Sequence, residues 1–490
     1  MAATRTRRGL SVLAATLVFA TMPAVAAAQP AEPSAPTAPG APPSGEQESG
    51  FAEPPPLPPG FPPPVDDGRP DKAYTQKTQC VSSNSEAVQL ETRPWGQDAL
   101  RFEDLSRFAT GKRQTVAVID TGVSPHDYLG NRLVGGGDYV IARDNGLKDC
   151  DGHGTEVAGI IAAKPKDDSI GFRGIAPDAR ILSIRQSSAN YRFEDPKNRE
   201  NSVDSAGNLG TLAKAIRRAA DSGATVINMS VDSCRPVSSG GITEAERQVQ
   251  AALRYAVEER NVVPVASAGN RGENNCSEQN SADPKNPTYI VTPPWFAEHV
   301  ISVAAMDSNG DPAEFSIQGP WVGVAAPGTD IISLDPANPT GLANQTVDAQ
   351  GQASPIQGTS FAAPYVAGLA ALVRERYPDL NAQQVMERIK QTASHPAAAG
   401  GHNSRVGYGM INPIGALTTM IPSESGIARD EAVDVPFEMP PPYTRDWAPE
   451  QVAMIGSFGG LGLLLLTLFV VRTVRRNRRE ADPMRPEPPL

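Results

Sequence analysis

Cysteine is scarce in this chain. The 490 residues include four, Cys80, Cys150, Cys234 and Cys276, too widely spaced and too poor in neighbouring histidine to build a zinc centre. Basic charge is also in deficit: 44 Lys and Arg against 55 Asp and Glu leave a net charge of −11. Nucleic acid needs a basic surface to meet its phosphates, so it is excluded as a partner. Histidine occurs five times, which leaves few candidates for imidazole chemistry. No internal repeat is found.

The two ends are distinctive. Residues 1–28 carry a basic start (Arg5, Arg7, Arg8), an apolar stretch from Leu10 to Ala20 and the small-residue end Ala26-Ala27-Ala28. This is the layout of a secretory signal peptide cleaved before Gln29; the alternative, a membrane-spanning helix, calls for a longer apolar core. Residues 452–471, VAMIGSFGGLGLLLLTLFVV, contain 20 positions without a charge, enough to cross the ~30 Å of a bilayer's hydrocarbon. Arg472, Arg475, Arg476, Arg478 and Arg479 follow at once, whereas Glu431, Asp434, Glu438, Asp446 and Glu450 precede it. That asymmetry predicts a cytoplasmic tail over 472–490 and everything before Val452 outside. An exported domain permits disulfides, and four cysteines allow three pairings.

Between Gln29 and Pro64, 14 of 36 residues are proline. Residues 29–72 therefore read as an extended arm with no core of its own. Residues 421–451, again rich in proline and acid, read as a linker to the membrane. The block 73–420 alternates short apolar runs with helical patterns. TVAVID (115–120), RILSIR (180–185), TVINMS (225–230), VVPVAS (262–267) and VISVAA (300–305) read as buried strands. LGTLAKAIRRAADSG (209–223) and TEAERQVQAALRYAVEER (243–260) carry helical spacing. Such alternation predicts an α/β fold with a mostly parallel sheet and reactive groups at the strands' carboxyl ends.

Four residues answer to that placement. Asp120 ends its strand and enters a turn; taken alone, it is equally a turn-initiating Asp. His153 lies between two glycines in DGHGTEVAGIIAA (151–163), where the imidazole is uncrowded. The other histidines, His126, His299, His395 and His402, lack such a setting and read as surface or packing residues. Ser360, in QGTSFAAPYVAGLAALV (357–373), opens a helix whose free N–H groups favour developing negative charge; on its own it is an N-cap serine. Asn270 follows VVPVASAG and offers an amide to an oxyanion, or is a turn residue. Together they supply a carboxylate, an imidazole, a hydroxyl and an oxyanion donor, the parts of nucleophilic acyl transfer.

The order Asp, His, Ser, carried by DTG, HGT and GTSFAAP, resembles the subtilisin family of serine proteases over about Trp95 to Gly415. The resemblance implies a three-layer subtilisin-like fold in which Asp120 orients His153, His153 is general base and then acid, and Ser360 is the nucleophile. It places Asn270 in the oxyanion hole and Ser230, Val231 and Asp232 along the substrate backbone. Asp232 stands where subtilisins commonly have glycine, which argues against broad specificity. The wider layout resembles the mycosins, the membrane-anchored proteases of type VII (ESX) secretion systems. That likeness implies two disulfides, Cys80–Cys150 and Cys234–Cys276, each worth roughly 2–4 kcal/mol.

Relatives also carry inhibitory propeptide domains and calcium loops. Residues 29–94 are too proline-rich for the first, so an arm that wraps the protease is expected instead. KPKDDSIGF (164–172) offers Asp168 to calcium but no fuller ligand set, so a solvated acidic loop is expected. The polar insertion 187–208 reads as a partner-contacting or substrate-guarding loop. No metal or cofactor is expected. The expected function is hydrolysis of exported proteins or peptides by a single-pass membrane enzyme whose catalytic domain is extracytoplasmic. Its expected partners are type VII secretion membrane components. The alternative is a scaffold that stabilises the secretion complex independently of proteolysis.

Overall fold

The computed structural model describes residues 52–82, 93–167, 169–194, 203–347, 351–425 and 447–480. The expected signal peptide, the first part of the arm, Asp168, most of the 421–451 linker and the end of the tail lie outside these residues. The chain forms two compact units, Met1–Thr419 and Met420–Leu490.

The first unit is built on seven strands. In chain order these and the main helices are β1 Thr115–Asp120, β2 Leu133–Asp138, α1 His153–Ala162, β3 Arg180–Arg185, α2 Leu209–Asp221, β4 Val226–Met229, α3 Glu244–Arg254, β5 Val263–Ser267, β6 Ile301–Met306, β7 Val322–Pro327, α4 Thr359–Arg376 and α5 Ala382–Thr392. The spatial order is β7-β6-β5-β4-β1-β3-β2, and every neighbouring pair runs parallel. Alternate residues of each strand feed opposite faces. On β1, Val116 and Val118 join a core shared with α1, α4 and α5, while Ala117 and Ile119 join one shared with α2 and α3. Burial on both faces explains the unbroken apolar runs. Two strands, β2 and β7, do not stand out as such in the sequence. Their segments LVGGGD and VGVAAP are diluted by glycine, alanine and proline, which weaken β propensity.

The helices start where capping chemistry is present. Asn208 and Thr211 exchange hydrogen bonds at the head of α2, and Thr243 and Glu246 do so at α3. The expected helix over 243–260 is shorter as an α-helix. From Tyr255 to Glu259 it widens into a π turn, and Asn261 leaves it at φ 55°.

The arm lies along the surface of the sheet-and-helix domain. Proline-rich backbone has free carbonyls but few N–H groups, and side chains of α3 use them: Gln250 Nε2 donates to Pro55 O at 3.1 Å and Arg254 Nη2 to Phe61 O at 2.8 Å. Asp66 then pairs with Arg218 at 2.7 Å and accepts from Tyr139 Oη at 2.7 Å, while Asn208 Nδ2 donates to Asp71 at 2.8 Å. Further on, Thr75–Gln76 adds as a strand to the insertion, and Cys80 is joined to Cys150. Exposed pairs contribute at most about 1 kcal/mol each, so the disulfide, worth roughly 2–4 kcal/mol, is the strongest fastener.

The insertion over 187–208 is not the open loop expected of its polarity. Ser188–Glu194 and Val203–Ala206 pair antiparallel, and the arm strand makes a third member. Tyr74, Val140, Cys150, Tyr191 and Ala206 form a small apolar cluster there, which the alternation in SANYRF encodes on one face.

The second unit contains α6, Ala448–Glu480. Its span Ala448–Arg478, with mean hydropathy 2.2 in its most apolar window, is long and apolar enough to cross a membrane.

Candidate active site

Strand order changes direction between β1 and β4: from β1 the chain goes to the edge strand β2 and back to β3 on one side, then crosses to β4 and β5 on the other. Ligands of open α/β sheets gather at such a switch. Here the carboxyl ends of β1, β4 and β5 deliver Asp120, Ser230 and Asn270 side by side.

Asp120 is fully buried, and its Oδ1 accepts from His153 Nδ1 at 2.7 Å and from Thr121 N at 2.7 Å. His153 is the first residue of α1, and 28% of its side chain remains exposed, so its other ring nitrogen is reachable. The glycine after it is required by space: a Cβ on Gly154 would lie 2.0 Å from Gly122 O and 3.1 Å from Asp120 Cβ. Asp149 holds the turn that presents the ring. It is buried and accepts from Gly152 N, Thr121 Oγ1, Thr155 N and Thr155 Oγ1 at 2.6–2.9 Å. Asp151, from the same turn, accepts from Ser188 Oγ and from Ala189 N, tying the insertion to the histidine.

Burial opposes charge on His153, but Asp120 beside it, helped by Glu156 and Asp149, outweighs that and raises its pKa from 6.5 to about 9. Burial pushes the Asp149 carboxyl up to about 6 and Glu156 up to about 8. Glu156 lies one helical turn beyond His153 with Thr346 Oγ1 donating to it at 3.3 Å.

Across the cleft, Ser360 is the second residue of α4 and is 8% exposed. Pro364, four residues on, has no N–H to give to the Ser360 carbonyl. Ser230 Oγ donates to that carbonyl instead, at 2.7 Å, and itself accepts from Asn228 Nδ2 at 2.9 Å. The proline of GTSFAAP thus ties β4 to the head of α4. Farther along the helix, a Cβ on Gly368 would fall 1.9 Å from Ile175 Cγ2. Ala362, Ala363 and Ala367 are fully buried. Small residues here let α4 press closely into the core.

Asn270 Oδ1 accepts from Thr359 N and Thr359 Oγ1, both at 2.9 Å. Its Nδ2 and the serine hydroxyl border the same small space: the point where a Cβ would stand on Gly358 is 3.0 Å from Ser360 Oγ and 3.3 Å from Asn270 Nδ2. Asp232 bridges the two flanking segments, accepting from Ser267 Oγ at 3.1 Å and Asn274 Nδ2 at 3.0 Å. Burial pushes its carboxyl up to about 6. Val231, between Ser230 and Asp232, is partly buried. Cys234 is joined to Cys276, so one disulfide closes this rim.

The structure thus brings Asp120, His153, Asn270, Ser360 and Ser230 to one end of the sheet. Of the remaining histidines, His126 bonds Gly341 O at 3.0 Å and His299 bonds Glu258 at 2.9 Å. Among the described residues, no group of three or more His, Cys, Asp and Glu is placed to hold a metal ion. The sequence alone did not mark Asp149, Glu156 or Thr359; only the acidic run DCD before HGT hinted at the first.

Residues 111–409 match the Subtilase family. The chain is 40% identical to Mycosin-1 of Mycolicibacterium smegmatis over 80% of its own length and 87% of the relative's. It belongs to the mycosins. Its fold superposes on the MycP3 protease from the type VII (ESX-3) secretion system with a TM-score of 0.68 at 41% identity, covering 75% of this chain and all of that one. A chain of an intact ESX-5 inner membrane complex matches with a TM-score of 0.69 at 36% identity, covering 86% of this chain and all of that one. This mycosin is accordingly a subtilisin-like serine endopeptidase.

Proposed function

We propose that Ser360 is the nucleophile of a triad with His153 and Asp120, hydrolysing peptide bonds of exported proteins at the outer face of the membrane. The observation that carries this reading is the 2.7 Å bond from His153 Nδ1 to Asp120. It commits one ring nitrogen to the carboxylate and leaves Nε2 for the serine. Ser360 Oγ attacks the scissile carbonyl carbon and its proton passes to His153 Nε2. The oxyanion that forms is held by Asn270 Nδ2 and the Ser360 N–H at the head of α4. The imidazolium then protonates the leaving amine, and water, deprotonated by the same ring, releases the acyl group. Asp120 keeps the ring oriented and stabilises its positive form. Ser230, Val231 and Asp232 line the substrate's path.

On this reading α6 anchors the enzyme in a single pass, with residues 73–420 on the extracytoplasmic side, 421–451 as a stalk and 472–490 in the cytoplasm. The signal peptide over 1–28 starts the export, and the arm over 29–72 straps the domain. The match to a chain of the ESX-5 inner membrane complex supports contact with type VII membrane components. It also favours a second reading, in which the protein stabilises that assembly without cutting anything.

Labelling by a fluorophosphonate, compared between wild type and Ser360→Ala, decides the first reading: wild type labels and the variant does not. Unlabelled wild type refutes it. The same variant separates the roles in cells. Secretion lost with Ser360→Ala makes proteolysis essential, whereas secretion retained leaves assembly as the essential task.

A further inference from the structure

The oxyanion amide is held by more than the motif around it. Asn270 has one acceptor atom and two N–H bonds to place. Its Oδ1 takes both donors of Thr359, at 2.9 Å each, which settles the end of the amide that faces the serine. One N–H of Nδ2 goes to Glu273 Oε2 at 2.9 Å. The other has no acceptor among the described residues, and Nδ2 borders the same space as Ser360 Oγ. Three bonds pin the amide plane, and the fourth direction is the one the reaction uses.

Glu273 is itself well fixed for an exposed residue. Its N–H donates to Asn270 O at 3.2 Å, and its carbonyl accepts from Cys276 N at 2.7 Å. Gly272 N donates to Cys276 O at 2.7 Å. Cys276 is covalently joined to Cys234, at the start of the strand that follows β4. The turn that carries the carboxylate is thus tied at one end to the amide it holds and at the other to the cleft's rim.

We propose that Glu273 is a positioning residue for the oxyanion donor: it fixes the plane of the Asn270 amide and so sets the rate of the acyl-transfer step. This rests on the reading of Ser360 as nucleophile and Asn270 as oxyanion donor. The carboxylate acts in two ways. As an acceptor it aligns the amide, which speeds reaction. As a negative charge next to a developing oxyanion it opposes that oxyanion, which slows it. A neutral acceptor of the same length keeps the first effect and removes the second.

The test uses the full chain in detergent and a fluorophosphonate as probe, since phosphonylation of the serine also places negative charge on an oxygen at the oxyanion position. The maximal labelling rate and the concentration for half-maximal rate are measured separately. Glu273→Leu lowers the maximal rate about tenfold, a share of the ~10²–10³ that loss of an oxyanion donor costs, and leaves the half-maximal concentration unchanged. Glu273→Gln restores the wild-type rate or exceeds it several-fold. In an Asn270→Ala background Glu273→Leu lowers the rate no further, because the amide it positions is gone, and the loss of the opposing charge leaves the rate equal or somewhat raised. A wild-type rate in Glu273→Leu overturns the proposal. So does a Gln variant as slow as the Leu variant, or a Leu loss that persists without Asn270. If wild type does not label at all, the nucleophile reading fails and the proposal falls with it. Where wild type labels, the Glu273 series alone decides.

Discussion

The two walls of the cleft are built from different chemistry. On the wall of β1 and α1, His153 is surrounded by Asp120, Asp149, Asp151 and Glu156, four carboxyls within a few residues of sequence or a single strand end. On the wall of β4, β5 and α4, hydroxyls, amides and main-chain dipoles hold Ser360 and Asn270: Ser230, itself bonded by Asn228, then Thr359 and the head of α4. On the proposed mechanism the first wall handles a proton, so its charges tune basicity. The second handles a charge that exists only in passing, so its dipoles must be aimed beforehand. Glu273 and Asp232 are where the division is breached, and both lie on loops rather than on the strands themselves.

Breaking the charged wall has the larger effect. Asp120→Asn keeps the size of the side chain but presents the wrong partner to Nδ1. A loss of about 10⁴ in kcat is expected from the equivalent defect in such triads, measured by peptide hydrolysis with folding checked by circular dichroism. Breaking the dipolar wall costs less. Asn270→Ala lowers kcat by about 10²–10³ with KM little changed. An equal loss from the two variants would erase the distinction between the walls.

The finest adjustment is in pH. In the proposed mechanism the reacting base is neutral His153, whose pKa is raised from 6.5 to about 9. Activity therefore rises with pH through that raised value, and the rising limb of kcat/KM lies above 6.5. Glu156 is itself pushed up to about 8 by burial, so it adds its charge on the alkaline side, where the limb lies. Glu156→Gln removes that charge, and the limb moves to lower pH while the maximal rate changes by less than tenfold. A limb that stays in place shows that Glu156 has no part in setting the base.

Much of this was legible in the chain itself, for identifiable reasons. TVAVID and VVPVAS are buried on both faces and advertise it by continuous apolar residues. Asp120, His153, Asn270 and Ser360 each close or open such an element, so a local pattern marks them. What was illegible depends on distance. Nothing near Glu273 shows that its carboxylate meets the Asn270 amide, because that contact is made by a turn. Thr359 is in plain view beside Ser360, yet its two bonds to Asn270 span 89 residues. In the insertion the alternation of SANYRF is present but its pairing was illegible, because the partner strand Thr75–Gln76 comes from far earlier in the chain.

The disulfides have a topological meaning beyond their energy. As a covalent graph the chain contains two closed rings, one joining residues 70 apart and the other residues 42 apart. A single peptide-bond cut inside either ring opens it without dividing the molecule. Asn270 lies within the second ring; Asp120 lies within the first, and His153 stands just outside it. A protease clipped once between Cys80 and Cys150 therefore keeps its arm, its Asp120 and its histidine on one covalent body. The cut shows as two fragments on a gel only after reduction.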